Sequence, residues 1–190
     1  IDRSLAYSTG RHIYTARKNG DDNKRVTPDV TEGGKISDFS WAPNSTRIAY
    51  LADRESDEVF ELSTVEPDGN NDLRISDDLI DGGDVTDFVW SPDSIRVAYR
   101  ANQRTTDAIE LFTATPDGQE NDRVSGDLVS GGNVGEFIWA PDSSGIGYIA
   151  DQENNEVFQL FASTPNGDEP ARLSGSFAVA GDVLFFEWVP

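Results

Sequence analysis

Four tryptophans recur at a constant spacing in this chain, and that spacing limits the folds open to it. Each lies 49 positions after the one before, and the sequence contains no other tryptophan. They are Trp41, Trp90, Trp139 and Trp188. A fixed period of this length is typical of repeat architectures, in which each unit buries its apolar surface only against its neighbours. We therefore predict one module repeated along the chain.

A longer motif surrounds each tryptophan. The second copy runs from Phe88 to Tyr99 as FVWSPDSIRVAY, and close variants occupy 39–50 and 137–148. The fourth copy begins at Phe186 and stops at residue 190, while residues 1–7 supply the missing half, IDRSLAY. The two ends of the chain are therefore predicted to complete one unit together.

Each unit contains four short stretches rich in β-branched and aromatic residues, with turn residues between them. In the second unit these stretches are 85–90, 96–100, 109–113 and 122–125. One turn contains Pro92-Asp93-Ser94 and another contains Pro116-Asp117-Gly118, and these residue types favour tight reversals of the chain. Helical periodicity is absent, so each unit is predicted to form four antiparallel strands.

Four-stranded units at even spacing are typical of β-propeller blades. A β-sandwich is the main alternative, but it does not predict four equal units. We expect an all-β, four-bladed β-propeller of four-stranded antiparallel blades in a single domain. The blades are predicted at 34–76, 83–125, 132–174, and 182–190 joined with 1–27. Pairing of the N- and C-terminal segments in that last blade would close the ring and hide two sheet edges.

The charge of the chain excludes two classes of partner. It contains 35 acidic and only 15 basic residues, for a net charge of −20. A surface this negative repels nucleic acid and anionic membranes, and no apolar run is long enough for membrane insertion. The acidity has two explanations that the sequence leaves open, a surface suited to a saline habitat or a role in binding cations. Cysteine is absent, which excludes disulfides and is compatible with export.

The hairpins between the second and third strands carry the best candidate metal ligands. Calcium takes about six to eight oxygen ligands, and acidic residues at alternate positions let a short loop wrap around one ion. Two hairpins show this alternation, and the predicted ligands are Asp53, Glu55, Asp57, Asp151, Glu153 and Asn155. The equivalent loop 102–107 has lost two of these positions, so calcium is expected in some blades only. The alternative is that acidic hairpins keep the protein soluble and prevent edge pairing.

A second set of carboxylates precedes the phenylalanine of each predicted innermost strand. If their side chains point into the central channel, they would raise one another's pKa or bind a cation there. These channel candidates are Asp38, Asp87 and Glu136. Hydrogen bonds to neighbouring backbone are the alternative use, because alternation along a strand does not decide which face points inward.

Residues suited to catalysis are scarce. The sequence has a single histidine, His12, and it lacks cysteine and any G-x-S-x-G, phosphate-loop or zinc-binding pattern. His12 takes the place of Glu61, Glu110 and Gln159 in the other units, which indicates a residue on a strand surface. We therefore predict that the chain is not an enzyme and predict no cofactor other than calcium.

The repeated pattern resembles the TolB-like, WD40-like β-propeller repeat over essentially the whole chain. The resemblance lies in F-x-W-[SA]-P-[DN]-S, in the E-L-F run that follows a polar hairpin, and in the P-[DN]-G turn. It implies either periplasmic scaffolds that bind protein partners or propellers that orient substrates beside a peptidase domain, as in prolyl-oligopeptidase-like enzymes. Members of the family usually have six or more blades, which implies that this ring is unusually small or that further repeats or a second chain complete a larger one.

The residues and the resemblance together predict a non-enzymatic binding or scaffold propeller in the periplasm or outside the cell. Its expected partner is another protein, and a homodimer is one arrangement that we consider. A lectin-like carbohydrate-binding propeller that stacks sugars on its aromatic residues and the accessory propeller of a larger hydrolase are the alternatives.

Overall fold

The computed structural model describes residues 5–168, 170–175 and 181–189. Within these residues the regular secondary structure consists of strands, and none of it is a helix that could span a membrane. The strands are β1 (Leu5–Ser8), β2 (Ile13–Ala16), β3 (Lys24–Arg25), β4 (Ile36–Trp41), β5 (Ile48–Ala52), β6 (Glu61–Val65), β7 (Leu73–Arg74), β8 (Val85–Trp90), β9 (Val97–Ala101), β10 (Glu110–Ala114), β11 (Asn121–Arg123), β12 (Val134–Trp139), β13 (Ile146–Ala150), β14 (Gln159–Ser163) and β15 (Ala171–Arg172).

The strands form four antiparallel sheets in chain order. Strands β4–β7, β8–β11 and β12–β15 make the first, second and third blades, each with four strands. Strands β1–β3 make a three-stranded N-terminal sheet. These sheets confirm the all-β class and the four-stranded repeat unit. Residues 182–189, which we call the C-terminal segment, carry no strand and are not paired with β1 in the described part of the chain.

The tryptophan motif fixes the first hairpin of each blade. In the second blade Phe88 pairs with Tyr99 and Trp90 with Val97, and the tight turn between the two strands places Ser94 at a φ of +66°. The Asp93 carboxylate accepts a 3.0 Å hydrogen bond from the Ile95 N–H, a local bond that favours this reversal. The turn residues of the motif are therefore explained by the hairpin that they close.

Adjacent sheets pack face to face, and the aromatic residues of the motif fill the space between them. In the core between the first and second blades, Phe88, Trp90 and Tyr99 of the second blade cover Leu62 and Ile75 of the first. Two further cores repeat this arrangement, one between the N-terminal sheet and the first blade and one between the second and third blades. The apolar surface of each unit is therefore buried by its neighbour, as the repeat predicts.

Two kinds of hydrogen bond recur between neighbouring sheets, one at the two junctions between blades and the other at all three junctions. The indole N–H of Trp90 donates to the Ser40 carbonyl at 3.3 Å, and Trp139 donates to the Val89 carbonyl at 3.1 Å. Threonine hydroxyls on β2, β6 and β10 donate hydrogen bonds to proline carbonyls 52 residues later in the chain. The bonds run from Thr15 to Pro67 at 2.8 Å, from Thr64 to Pro116 at 2.7 Å and from Thr113 to Pro165 at 2.5 Å. These bonds fix the position of one sheet against the next in the same way at each junction where they occur.

The C-terminal segment lies against the third blade in the place that an innermost strand would take. The Trp188 indole donates to the Ile138 carbonyl at 3.0 Å, and the Val183 N–H donates to the Phe158 carbonyl at 2.9 Å. Phe186 packs over Gly147, where a Cβ atom would lie 2.6 Å from its ring. The C-terminal segment thus contacts the preceding blade as β8 and β12 do, but within the described residues no strand is paired with it.

Candidate binding face

The loops of the sheets lie at two opposite ends because the strands are antiparallel. One end carries the hairpins 53–60, 102–109 and 151–158, together with the connections 75–84 and 124–133 between successive blades. We call this end the hairpin face. The other end, the turn face, carries the proline-containing turns. Every predicted calcium ligand lies on the hairpin face.

Asp53 and Asp151 are buried and act as caps for their hairpins. The carboxylate of Asp151 accepts hydrogen bonds from the backbone N–H of Asn133 and, at 2.9 Å, from that of Glu156. Asp53 receives the equivalent bonds from Lys35 and Glu58. Each carboxylate therefore ties its hairpin to the connection that enters the blade.

The second blade shows that this cap needs an oxygen atom but no charge. Asn102 takes the equivalent position, and its Oδ1 accepts a 2.6 Å bond from the Asp84 N–H. We expect Asp151→Ala to lower the free energy of unfolding by about 1–3 kcal/mol, because buried N–H groups would lose their acceptor. We expect Asp151→Asn to keep most of that stability, and urea unfolding of both variants measures the difference. Equal losses would show that the charge of Asp151 matters more than the cap.

The other predicted calcium ligands have varied surroundings. Glu55 lies 3.6 Å from Arg74, and Glu153 pairs with Arg172 at 2.5 Å. Asp57 and Asn155 lie against the glycine connections that enter their blades. Among the described residues no three acidic, histidine or cysteine side chains come together as a metal site. Calcium binding by these hairpins remains a prediction and would require the acidic side chains to leave their present partners.

The channel candidates do not share one environment. Asp87 forms a bidentate pair with Arg100 at 2.8 and 2.6 Å, and Arg100 also donates to the Gly135 carbonyl of the next blade at 2.6 Å. Asp38 is exposed and accepts a 2.8 Å bond from the Phe39 N–H, while Glu136 is exposed. Asp87 therefore helps to hold the second and third blades together.

A row of arginine–carboxylate pairs, which the sequence motifs did not predict, crosses the hairpin face. Arg74 pairs with Glu61 at 2.8 Å and with Asp78, and the bond to Glu61 raises the pKa of the Arg74 guanidinium above its ordinary value. Arg123 repeats the arrangement with Glu110 at 3.0 Å and with Asp127 at 2.7 Å. The signal in the sequence was an arginine at positions 25, 74, 123 and 172, which follows the period of the tryptophans.

His12 occupies the same position in the N-terminal sheet as these glutamates. Its Nε2 atom lies 3.7 Å from Asp29, and Asp29 also pairs with Arg25 at 2.8 Å. This arrangement places His12 beside Asp29 at the end of the repeated row of arginine–carboxylate pairs.

A cavity of about 420 Å³ opens beside the second member of this row. Its charged lining includes Arg104, Glu110, Arg123 and Asp127. Glu110 is 5% exposed, and its Oε2 atom has no hydrogen-bond partner among the described residues. The cavity is therefore lined by carboxylates and two guanidinium groups, an arrangement suited to a polar group of a ligand or partner.

Acidic residues outnumber basic ones among the exposed side chains of the hairpin face, where the exposed basic residues are Arg11, Arg25, Lys35, Arg104 and Arg172. Arg104 is exposed, whereas the arginines 54, 74 and 123 are half-buried beside carboxylates. The exposed acidic residues of these loops are Glu55, Asp57, Glu58, Asp77, Asp78, Asp81, Asp107, Asp127, Glu153 and Glu156. Such a surface attracts basic partners from a distance and repels acidic ones.

The tryptophans of the second and third blades are buried in the hydrophobic cores between blades. Trp90 and Trp139 are 7% and 5% exposed, and both indole N–H groups bond to the preceding blade. Sugar stacking needs an accessible ring face. These two tryptophans therefore give no support to the lectin alternative.

Comparison with known proteins identifies the fold. No protein-family model matches the chain, and no curated protein matches it. The solved structure of a putative TolB from Agrobacterium tumefaciens is similar, with 14% identity and a TM-score of 0.55 over 92% of this chain and 58% of that one. Dipeptidyl peptidase 4 of Porphyromonas gingivalis has 11% identity and a TM-score of 0.66 over 91% of this chain and 30% of its own.

An oligogalacturonate lyase from Vibrio parahaemolyticus is similar as well, with 16% identity and a TM-score of 0.55 over 89% of this chain and 44% of its own. The chain thus spans between about a third and three fifths of the length of these proteins. Identities this low carry information about the fold alone. The sheets, their order and these likenesses together show a TolB-like β-propeller fold.

Proposed function

We propose that this chain is a non-enzymatic binding module whose hairpin face recognises another protein. The observation that carries the proposal is the row of half-buried arginine–carboxylate pairs and its cavity, surrounded by exposed acids on rigid blades. Residues at the ends of packed strands are held in fixed positions, as a recognition surface requires. The TolB-like fold supports a protein partner by analogy, since a fold does not itself determine a ligand.

The partner is expected to present a basic surface. Exposed carboxylates on the hairpin face would speed its approach through long-range attraction, and this attraction weakens as salt screens it. The cavity beside Glu110 would then accept one polar group of the partner, because its arginines and carboxylates can form hydrogen bonds with that group.

Charge reversal on the two faces tests the proposal. We expect Asp57→Lys combined with Asp107→Lys to weaken partner binding by about tenfold or more at low salt. Asp117→Lys combined with Asp142→Lys makes the same change in charge on the turn face and should leave binding nearly unchanged. A partner is first captured from the source organism and identified, and its dissociation constant is then titrated with each variant. Equal effects of the two double variants would contradict binding at the hairpin face.

An accessory role in a larger hydrolase is the second candidate. It is supported by the likeness to peptidases, of which this chain covers only a part. In that case the hairpin face or the turn face would contact a peptidase domain, and the captured partner would be that enzyme or a region of the same gene product. Identification of the partner therefore separates the two candidates.

We also propose that the blades correspond to 34–76, 83–125 and 132–174 and that a fourth blade combines 182–190 with 1–27. The C-terminal segment already makes the contacts of an innermost strand, and β1–β3 match the three outer strands of a blade in order and direction. Location in the periplasm or outside the cell is part of the same proposal. It is supported by the TolB-like fold and the absence of cysteine.

The calcium prediction is tested by a thermal melt of metal-stripped protein with calcium and with magnesium at matched ionic strength. A ligand that binds only the folded protein raises the melting midpoint. The prediction expects a rise with calcium beyond the magnesium control and its loss in Glu55→Gln combined with Glu153→Gln. Asp53 and Asp151 are unsuitable for substitution because they cap their hairpins. Equal melting midpoints with calcium and with magnesium would contradict the calcium prediction.

A further inference from the structure

Asn44 begins the only Asn-x-Ser/Thr pattern in the sequence, Asn44-Ser45-Thr46. This pattern is the acceptor for N-linked sugars in exported proteins, and it acts from a surface loop. Its three residues lie on the tight turn that joins β4 to β5. Because so short a pattern also arises by chance, the surroundings of its side chains decide whether it can act as an acceptor.

The two outer positions of the pattern are exposed as a property of the turn. Asn44 and Thr46 are exposed, and so are the equivalent residues of the second blade, Asp93 and Ile95. The second blade packs against a neighbour on each side, so its turn shows the exposure of these positions where the fold is complete. A bulky group attached to Asn44 would therefore extend into solvent.

The turn uses the side-chain oxygen of Asn44 and does not use the nitrogen. Oδ1 accepts hydrogen bonds from the Thr46 N–H at 3.0 Å and from the Thr46 hydroxyl at 2.7 Å. In the third blade the equivalent Asp142 accepts the same two bonds from Ser144, at 3.0 and 2.6 Å. An aspartate therefore closes this turn in the same way, and within the described residues the Asn44 Nδ2 atom donates no hydrogen bond. The amide nitrogen is free to carry a sugar without loss to the fold.

An open cavity of about 480 Å³ lies beside this turn. Besides the three residues of the pattern, its lining contains Arg47, Glu66 and Pro67. The Arg47 guanidinium lies 3.7 Å from the Glu66 carboxylate, so the lining offers both hydrogen-bond donors and acceptors. A sugar hydroxyl can bond to either kind of group, because it both donates and accepts. The first sugar of a glycan would therefore find polar partners next to its point of attachment.

We infer that Asn44 is a glycosylation site that carries an N-linked sugar chain. The new bond joins the Asn44 Nδ2 atom to the anomeric carbon of a sugar supplied as a glycosyl diphosphate. The bond from that carbon to the phosphate oxygen breaks, the diphosphate leaves with the electron pair, and the amide gives up one proton. The inference rests on the proposed location in the periplasm or outside the cell, because the pattern is modified in exported proteins.

A glycan at Asn44 would stand on the turn face. The hairpin face lies at the opposite end of the sheets, so its acidic residues and its cavity would stay accessible to a protein partner. A bulky, hydrated sugar chain would instead cover part of the turn face and hinder other proteins from binding there. The modification thus fits a molecule that recognises its partner with one end.

Peptide mapping of the chain from its source organism tests the inference. Cleavage after lysine and arginine releases residues 36–47, in which Asn44 is the only asparagine. We expect this peptide to be heavier than its sequence by the mass of at least one sugar. An amidase that removes N-linked sugars should abolish the excess mass and leave aspartate at this position. A peptide with the mass of its unmodified sequence would overturn the inference.

Two substitutions taken from the other blades separate the acceptor pattern from the fold. Thr46→Ile copies Ile95 of the second blade and removes the hydroxyl, so the sugar should be lost while the turn still forms. Thr46→Ser copies Ser144 of the third blade and keeps the hydroxyl, so the sugar should remain. Urea unfolding confirms that both variants fold. The same sugar content in the two variants would overturn the inference.

Cell fractionation distinguishes failure of this inference from failure of the proposals beneath it. If the chain is found outside the cytoplasm and peptide 36–47 is unmodified, the proposed location stands and the glycosylation site is wrong. If the chain is found in the cytoplasm, the proposed location is wrong and the glycosylation site falls with it. Partner binding at the hairpin face is measured separately, through the charge-reversal variants.

Discussion

At pH 11 the protein should be less stable than at pH 8 by about 4 kcal/mol, because three tyrosines are buried in the junctions between sheets. Tyr50, Tyr99 and Tyr148 occupy the same position of the repeat and are fully buried. Burial raises the pKa of Tyr148 to about 12. Burial also raises the pKa of Tyr99 and, together with the charge of Asp72, that of Tyr50.

The loss of stability at high pH follows because the folded protein holds the tyrosine phenols in their protonated form. The folded protein keeps these phenol protons at a pH where the unfolded chain, with a tyrosine pKa of about 10, has released them. The stability is therefore complete below about pH 10 and is lost as the pH rises toward the folded pKa values. Each tyrosine contributes a loss of about 1.4 kcal/mol per pH unit in this window.

Urea unfolding at a series of pH values measures this loss. Tyr148→Phe should reduce the dependence on pH between 10 and 12 by about one third, since one of three equivalent groups no longer titrates. The variant also serves as a control for general alkaline damage, which would affect both proteins equally. A free energy of unfolding that does not change between pH 8 and pH 11 would show that these phenols are not held in their protonated form.

Trp139→Ala should lower the free energy of unfolding by about 3–5 kcal/mol, the range for removing a large buried aromatic side chain. Trp139 is 5% exposed and packs in the core between the second and third blades. Its indole N–H also satisfies the Val89 carbonyl at 3.1 Å. The substitution removes both the packing and the hydrogen bond from one junction.

Trp188→Ala is the matched comparison for this variant. Trp188 makes the equivalent hydrogen bond, to the Ile138 carbonyl at 3.0 Å, but it is half-exposed in a segment without a complete blade. The loss of unfolding free energy in a single copy should therefore be smaller than for Trp139, because less apolar surface leaves water on folding. Chemical denaturation at low protein concentration compares the two, and an equal loss would contradict the repeat-based account of the core.

Much of the fold could be predicted from the sequence because the same turn residues and aromatic core residues recur in each repeat. The Pro-[DN]-Ser turns at 43–45, 92–94 and 141–143 close equivalent hairpins, so the hairpin of β8 and β9 predicts those of β4 with β5 and β12 with β13. The pairing of 182–189 with β1 could not be settled in this way. The repeat period says which halves match, whereas the position of β1 relative to the C-terminal segment determines whether they meet.

The candidate site was harder to predict than the fold. Alternating acids in a hairpin suggest calcium, but Asp53 and Asp151 are used by backbone N–H groups that only the folded connection brings near. The arginine–carboxylate row joins strands and loops that are distant in sequence, as in the pair of Arg123 with Glu110. The arginines of this row recur with the period of the repeat in the sequence. Which carboxylates they pair with depends on the register between the third and fourth strands of each blade.

Amide hydrogen exchange along β1 tests the central claim, that the two ends of this chain build one blade. The N–H groups of Ala6 and its neighbours that point away from β2 have no partner within the described sheet. If the C-terminal segment pairs with β1, these groups should exchange as slowly as the corresponding groups of β5, which are bonded to β4. Exchange as fast as in the exposed hairpins would contradict the fourth blade.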